Sequence, residues 1–241
     1  MKKVLLFGVI ILFFIGAIAS CGGNAKEDSS VEAQANDTPM VSSALTTTEP
    51  IESTPLEEVS FGHYPQNSST DSPIEWYVIA EYGDYKMLLS KYILDYQSFN
   101  DSTIAEASSW ANSSLRAWLN DSFLNYCFTI SEQEAIYDTT VTDYEADGVA
   151  GAESQDKVFL LNMDQVDSLL TYTQKVAIDT SYAEQQGGNN ANGSWWLINS
   201  ESSDLYKYVI NRNGAHENSP RVNEAEGVRP CMWVHNSVLS E

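Results

Sequence analysis

The chain is 241 residues long, 43% of them apolar, with a formal charge of −22 at neutral pH. That length suits one folded domain plus shorter segments, and such acidity argues against nucleic acid and anionic lipid as partners. Cationic ligands and calcium stay open, because excess carboxylates specify neither.

At the N-terminus, Lys2 and Lys3 precede Val4–Ile18, a run without a charge. This is the layout of a secretory signal peptide, and it falls short of the ~20 apolar residues that a spanning helix needs. The run ends in Ile18-Ala19-Ser20-Cys21, which resembles the bacterial lipobox, where small residues admit the peptidase once the thiol carries diacylglycerol. Residues 1–20 are thus expected to be a lipoprotein signal peptide, and Cys21 the lipidated residue of an extracytoplasmic protein on the outer face of the bacterial cell membrane. Acyl chains such as palmitate contribute roughly 0.8 kcal/mol per buried methylene, so they hold a domain at a membrane without any inserted helix. Loss of Lys2 and Lys3 with the signal leaves 10 basic against 34 acidic residues, a charge of −24.

Residues 21–58 read as the lipidated N-terminus and a disordered linker. From Gly22 to Glu57 there is no aromatic residue, and stretches such as Thr46-Thr47-Thr48-Glu49-Pro50 cannot bury a core. A flexible chain of some 35 residues averages roughly 30–35 Å end to end, enough to lift a domain off the membrane.

Residues 59–241 hold every Trp, Tyr and Phe beyond the signal and form the expected globular domain. The sequence predicts a hairpin of strands 74–79 and 86–90 around Tyr82-Gly83-Asp84. Leu115, Trp118, Leu119 and Phe123 share one helix face that Ser113 or Ser114 can cap. Ser131 and Glu134 have capping-box spacing for another short helix, and a strand at 157–161 leads into a helix at 164–170. Strands at 194–198, 206–210 and 228–234 follow, separated by Asn, Gly and Ser clusters. The class is α+β.

Read in order, Phe61-Gly-His-Tyr-Pro-Gln66, Ile74-Glu-Trp76, Leu88-Leu-Ser-Lys91, Ser114-Leu-Arg-Ala-Trp-Leu-Asn120, Asp156-Lys-Val-Phe-Leu-Leu161, Trp195-Trp-Leu197 and Gly227-Val-Arg-Pro230 form one constellation over residues 59–236. It resembles the family called domain of unknown function 6273, found on secreted and lipid-anchored proteins of Gram-positive bacteria. The chain departs from that family's usual pattern at Cys231-Met232 and at Ile198-Asn199-Ser200. Gly193-Ser-Trp-Trp and Gly227-Val-Arg also resemble the end of the C-type-lectin-like fold of sulfatase-modifying (formylglycine-generating) domains. That resemblance implies a single domain of short antiparallel strands, a few short helices and long loops. Residues 189–194 and 212–226 would be the binding loops.

Several residues could carry chemistry. Trp195 and Trp196 are adjacent and on a strand point to opposite faces, so one is free to stack on a ligand ring. With Arg229 they are the candidate ligand-binding residues, the alternative being burial of all three. Arg116, Arg229 and Lys157 are expected to pair with carboxylates such as Asp156. Cys127 and Cys231 are a candidate disulfide in an oxidising compartment, or else two small buried thiols. His63, His216 and His235 lack the spacing of a zinc site. Asp143-x-Glu145-x-Asp147-Gly148 resembles the start of a calcium loop, but Ser154 stands where the bidentate glutamate belongs. No nucleophile elbow or phosphate loop is present, and neither metal nor cofactor is expected. The leading expectation is a non-catalytic surface module that binds a glycan, peptide or protein. The alternatives are a cell-wall-modifying hydrolase with a carboxylate site and a structural accessory lipoprotein.

Overall fold

The computed structural model describes residues 55–67, 70–101, 109–144, 150–188, 192–200, 205–217 and 221–239. The signal segment, Cys21, the linker up to residue 54 and most of the calcium-like loop lie outside them. Among the described residues no helix is long and apolar enough to cross a membrane.

In chain order the strands are β1 (Glu58–Asn67), β2 (Thr70–Tyr82), β3 (Tyr85–Ser90), β4 (Asp95–Ser98), β5 (Thr139–Tyr144), β6 (Ala150–Asp156) and β7 (Ala177–Ile178). They continue with β8 (Asn192–Gly193), β9 (Trp195–Ser200), β10 (Lys207–Ile210), β11 (His216–Glu217), β12 (Ala225–Val228) and β13 (Cys231–His235). The α-helices are short: α1 (Ser114–Trp118), α2 (Leu124–Cys127), α3 (Ile130–Ala135), α4 (Met163–Leu169), α5 (Tyr172–Lys175) and α6 (Ser181–Gln186). One sheet has the order β1-β2-β3-β13 and is antiparallel throughout. The second has the order β11-β10-β9-β12-β4, antiparallel except where Gly227 of β12 runs parallel beside Trp195 of β9. The mixture is α+β.

The predicted hairpin is β2–β3, with Tyr82 facing Tyr85 across the turn. Ile74, Trp76 and Val78 are buried while Glu75 is exposed, the period-two pattern of a half-buried strand. In β1 the same alternation breaks at a bulge between Ser60 and His63. Gly62 sits there at φ +67°, a conformation that favours glycine, and an added Cβ would run into the ring of Phe128.

The predicted amphipathic helix is α1, a π-helical turn over Leu119–Phe123, and α2. Ser113 is its cap, accepting from the backbone N of Arg116 at 3.1 Å. Leu115, Leu119 and Phe123 are buried and Trp118 is half-buried. Asp156, also buried, ties this segment to the β5–β6 ladder. Arg116 Nε donates to its Oδ1 at 2.6 Å, while Trp110 Nε1 and Ser154 Oγ donate to its Oδ2 at 2.9 and 2.6 Å. The predicted Arg116–Asp156 pairing is thereby present. Lys157 lies 3.5 Å from Asp138 and also donates to the carbonyls of Gln133 and Ile136.

Three expected secondary-structure features differ from the structure. The box that starts α3 is Thr129 with Glu132, not Ser131 with Glu134, because the chain leaves the core at buried Phe128 and turns at once. Residues 157–161 form no ladder: Val158, Phe159, Leu160 and Leu161 are buried on every side, and only Phe159 bridges to Cys231. The single strand expected at 228–234 is two strands in two sheets, parted at Arg229-Pro230, where proline has no N–H to continue a ladder.

Candidate functional site

Tyr64 lies near the end of β1, just past the bulge, and its ring is buried. Its hydroxyl donates to Asp95 Oδ2 at 2.5 Å, and Asp95 also accepts from the backbone N of Tyr96 at 2.7 Å and from Gln97 Nε2 at 3.4 Å. Around this ring the helical segments set further aromatic residues. While Leu115, Leu119 and Phe123 recur at spacing four and face the core, Trp118, Ser122 and Tyr126 recur at the same spacing on the neighbouring face. The π-helical turn lies between Trp118 and Tyr126, and such turns recur at functional sites. Small Ser122 leaves a gap in that row, and Tyr182 of α6 closes the far side.

The result is an open pocket of about 240 Å3, lined by Tyr64, Pro65, Trp118, Ser122, Phe123, Tyr126 and Tyr182. The ring of Tyr64 meets Tyr126 at 5.8 Å and 84° and Tyr182 at 5.6 Å and 87°, so two rings stand nearly at right angles to it. Phe123 lies 5.2 Å from Tyr64 and 5.2 Å from Trp118. Tyr126 is 58% exposed, yet its hydroxyl is anchored on both oxygens of Asp71, at 2.9 and 3.0 Å.

Electrostatics keep these phenols protonated. Burial, then the Asp95 carboxylate, pushes the Tyr64 hydroxyl far above the ordinary tyrosine range. The bond to Asp71 raises Tyr126 as well. Burial also raises the Asp95 carboxyl, against the opposing pull of Tyr64, Tyr96 N and Gln97. Tyrosines held in this state are hydrogen-bond donors and ring surfaces, not bases or nucleophiles at neutral pH. The arrangement can stack and hold a ligand.

The residues singled out from sequence lie elsewhere. Trp195, Trp196 and Arg229 are all 0% exposed, so the structure puts them in the core rather than on an open face. The two indoles donate to the carbonyls of Lys175 at 3.0 Å and Gln97 at 2.8 Å. Arg229 Nε donates to Ser90 O at 2.8 Å and Nη1 to Gln174 O at 3.0 Å, its guanidinium sits 5.0 Å from the Trp195 ring, and Nη2 has no hydrogen-bond partner. Burial pulls this guanidinium down to about 10. It acts as a rivet at the corner where β12 passes into β13, held by backbone carbonyls and the Trp195 ring rather than by the carboxylate expected from the sequence. Cys127 and Cys231 are separate, buried and free, with burial raising both thiols. Among the described residues no group of three or more His, Cys, Asp or Glu is placed to hold a metal ion.

In the sequence Tyr64 stands out only within the Phe61–Gln66 motif and Trp118 only on the Leu115–Phe123 helix face. Tyr182 carries no signal in the sequence, since the pocket joins three segments far apart in the chain. The one available hint was the second spacing-four row at 118, 122 and 126.

A family model described as Domain of unknown function (DUF6273) matches residues 83–236. The match takes in Trp118, Ser122, Phe123, Tyr126 and Tyr182 but starts after Tyr64 and Pro65. No curated protein and no solved structure matches the chain.

Proposed function

Because the chain belongs to the DUF6273 family, described only as a domain of unknown function, its role must come from its own site, and we propose a non-catalytic ligand-binding module. The observation that carries this reading is an open, aromatic-lined pocket beside polar groups, with exposed Tyr126 held in place by Asp71. Such a surface meets a glycan, a peptide or a protein side chain by stacking.

The module is a lipoprotein, anchored through Cys21 on the outer face of the bacterial membrane, and the lipobox-like Ile18-Ala19-Ser20-Cys21 supports that placement. Its fold is C-type-lectin-like in this reading. In support, the Gly193-Ser-Trp-Trp and Gly227-Val-Arg motifs lie side by side, with Gly227 paired to Trp195.

The test is a glycan and peptide screen read by tryptophan fluorescence and calorimetry, repeated on Tyr126→Ala. A ligand whose affinity drops with the loss of that ring supports the pocket. Ligands that bind equally well to the variant would move the site elsewhere and defeat the reading.

A further inference from the structure

The aromatic pocket has a chemical bias that narrows its ligand, and the inference rests on the binding reading given above. Its seven lining residues include no Lys, Arg or His. Both anchored phenols donate their hydroxyl hydrogen bonds to the protein's own carboxylates, Tyr64 to Asp95 and Tyr126 to Asp71. An anion entering the pocket therefore meets no cationic side chain, and neither Tyr64 nor Tyr126 has an O–H left to offer it. A cation meets the opposite situation.

Two features favour a positive, poorly hydrated group. A phenol that donates to a carboxylate carries more electron density in its ring, which strengthens the attraction of the ring face for a cation within about 6 Å. The rings also meet at corners, with Tyr126 and Tyr182 standing at 84° and 87° to Tyr64, so a rounded group can touch more than one ring at once. The chain's charge of −22 adds a long-range field that concentrates cations near it. Lysine-like ammonium groups keep strong hydration, whereas a methylated ammonium sheds water readily and packs against aromatic surfaces.

We infer that the pocket formed by Tyr64, Trp118, Tyr126 and Tyr182 binds a methylated ammonium group, as in a choline-like or betaine-like small molecule. The carrier is either a soluble small molecule or a lipid headgroup, the chemistry at the pocket being the same.

The experiment uses the full chain in a polyoxyethylene detergent, which carries neither charge nor sugar. Calorimetric titrations compare choline, its uncharged isostere 3,3-dimethylbutan-1-ol, N-acetylglucosamine and maltose. Choline should bind, and the isostere should bind at least about ten-fold more weakly. Tyr126→Ala should weaken choline by about ten-fold, with circular dichroism confirming the fold. Tyr126→Phe, which keeps the ring and loses only the hydroxyl, should weaken it less. Phosphatidylcholine vesicles assign the source: capture of vesicles that free choline displaces indicates a headgroup, and choline binding without vesicle capture indicates a soluble ligand.

Equal binding of choline and its isostere would overturn the cationic assignment while the binding module stands. The same holds if a saccharide, and not choline, binds in a Tyr126-dependent way. If no ligand of any class depends on Tyr126, both the assignment and the binding reading fall.

Discussion

Replacing Asp156 by alanine tests whether one buried carboxylate holds the helical segment to the β5–β6 ladder. The substitution removes the acceptor of three donors at once, Arg116 Nε, Trp110 Nε1 and Ser154 Oγ. Trp110 is wholly buried, so its indole N–H loses its partner in a place without water, at about 1–3 kcal/mol. Arg116 is 26% exposed and keeps the carbonyls of Ala111 and Gln155, so its loss is well below that of a fully buried pair. Ser154 can turn its hydroxyl elsewhere. The total is about 3 kcal/mol, a fall in melting temperature of roughly 6–12 °C for a domain of this size. Asp156→Asn retains one carbonyl oxygen and should lose about half as much. Urea denaturation of the parent and both variants measures this directly. An alanine variant within about 0.5 kcal/mol of the parent would refute the knot.

Gly62→Ala should cost about 2 kcal/mol or more, because φ +67° disfavours any Cβ and the new atom meets the buried Phe128 ring; a parent-like urea midpoint would contradict this. Asp95 sets a pH dependence. Burial raises its folded value above the unfolded one, so the stability it contributes is fully present below the ordinary carboxylate range and is lost as pH rises through the raised value. Asp95→Asn mimics the protonated form, and urea midpoints from about pH 4 to about pH 8 should fall less steeply with rising pH in the variant than in the parent. Identical slopes would show that Asp95 is not the group responsible. Cys127 and Cys231 should resist a thiol reagent in the native chain and react in urea, whereas an intact mass lacking both thiol hydrogens would reveal a disulfide.

Local signals in the sequence were reliable where periodicity and burial coincide. The β2–β3 hairpin and the Leu115–Phe123 helix face are legible because apolar residues alternate or recur on one buried side. The β5–β6 ladder was not legible, since its inward positions include Asp143, Ser154 and Asp156 rather than apolar side chains. β1 was obscured by its bulge. At 228–234 the apolar run hid a change of sheet, although Pro230 was the warning. For Trp195 and Trp196 the sequence leaves two outcomes, one indole turned to a ligand or both buried, and β9, packed on both faces, buries both. The aromatic pocket is a tertiary product of β1, the α1–α2 segment and α6, so no local window contains it.

The corner at Arg229-Pro230 also bears on when the domain can fold during synthesis. β12 lies inside the second sheet, between β9 and β4, and β13 completes the first beside β3. Both sheets therefore wait for the same late stretch, residues 225–235, to supply a strand to each. Until then β4 lacks its ladder partner β12 and β3 keeps an open edge where β13 belongs. A chain ended at residue 224 is expected to stay protease-sensitive and to show no cooperative unfolding, and restoring the last strands should bring both sheets into register together.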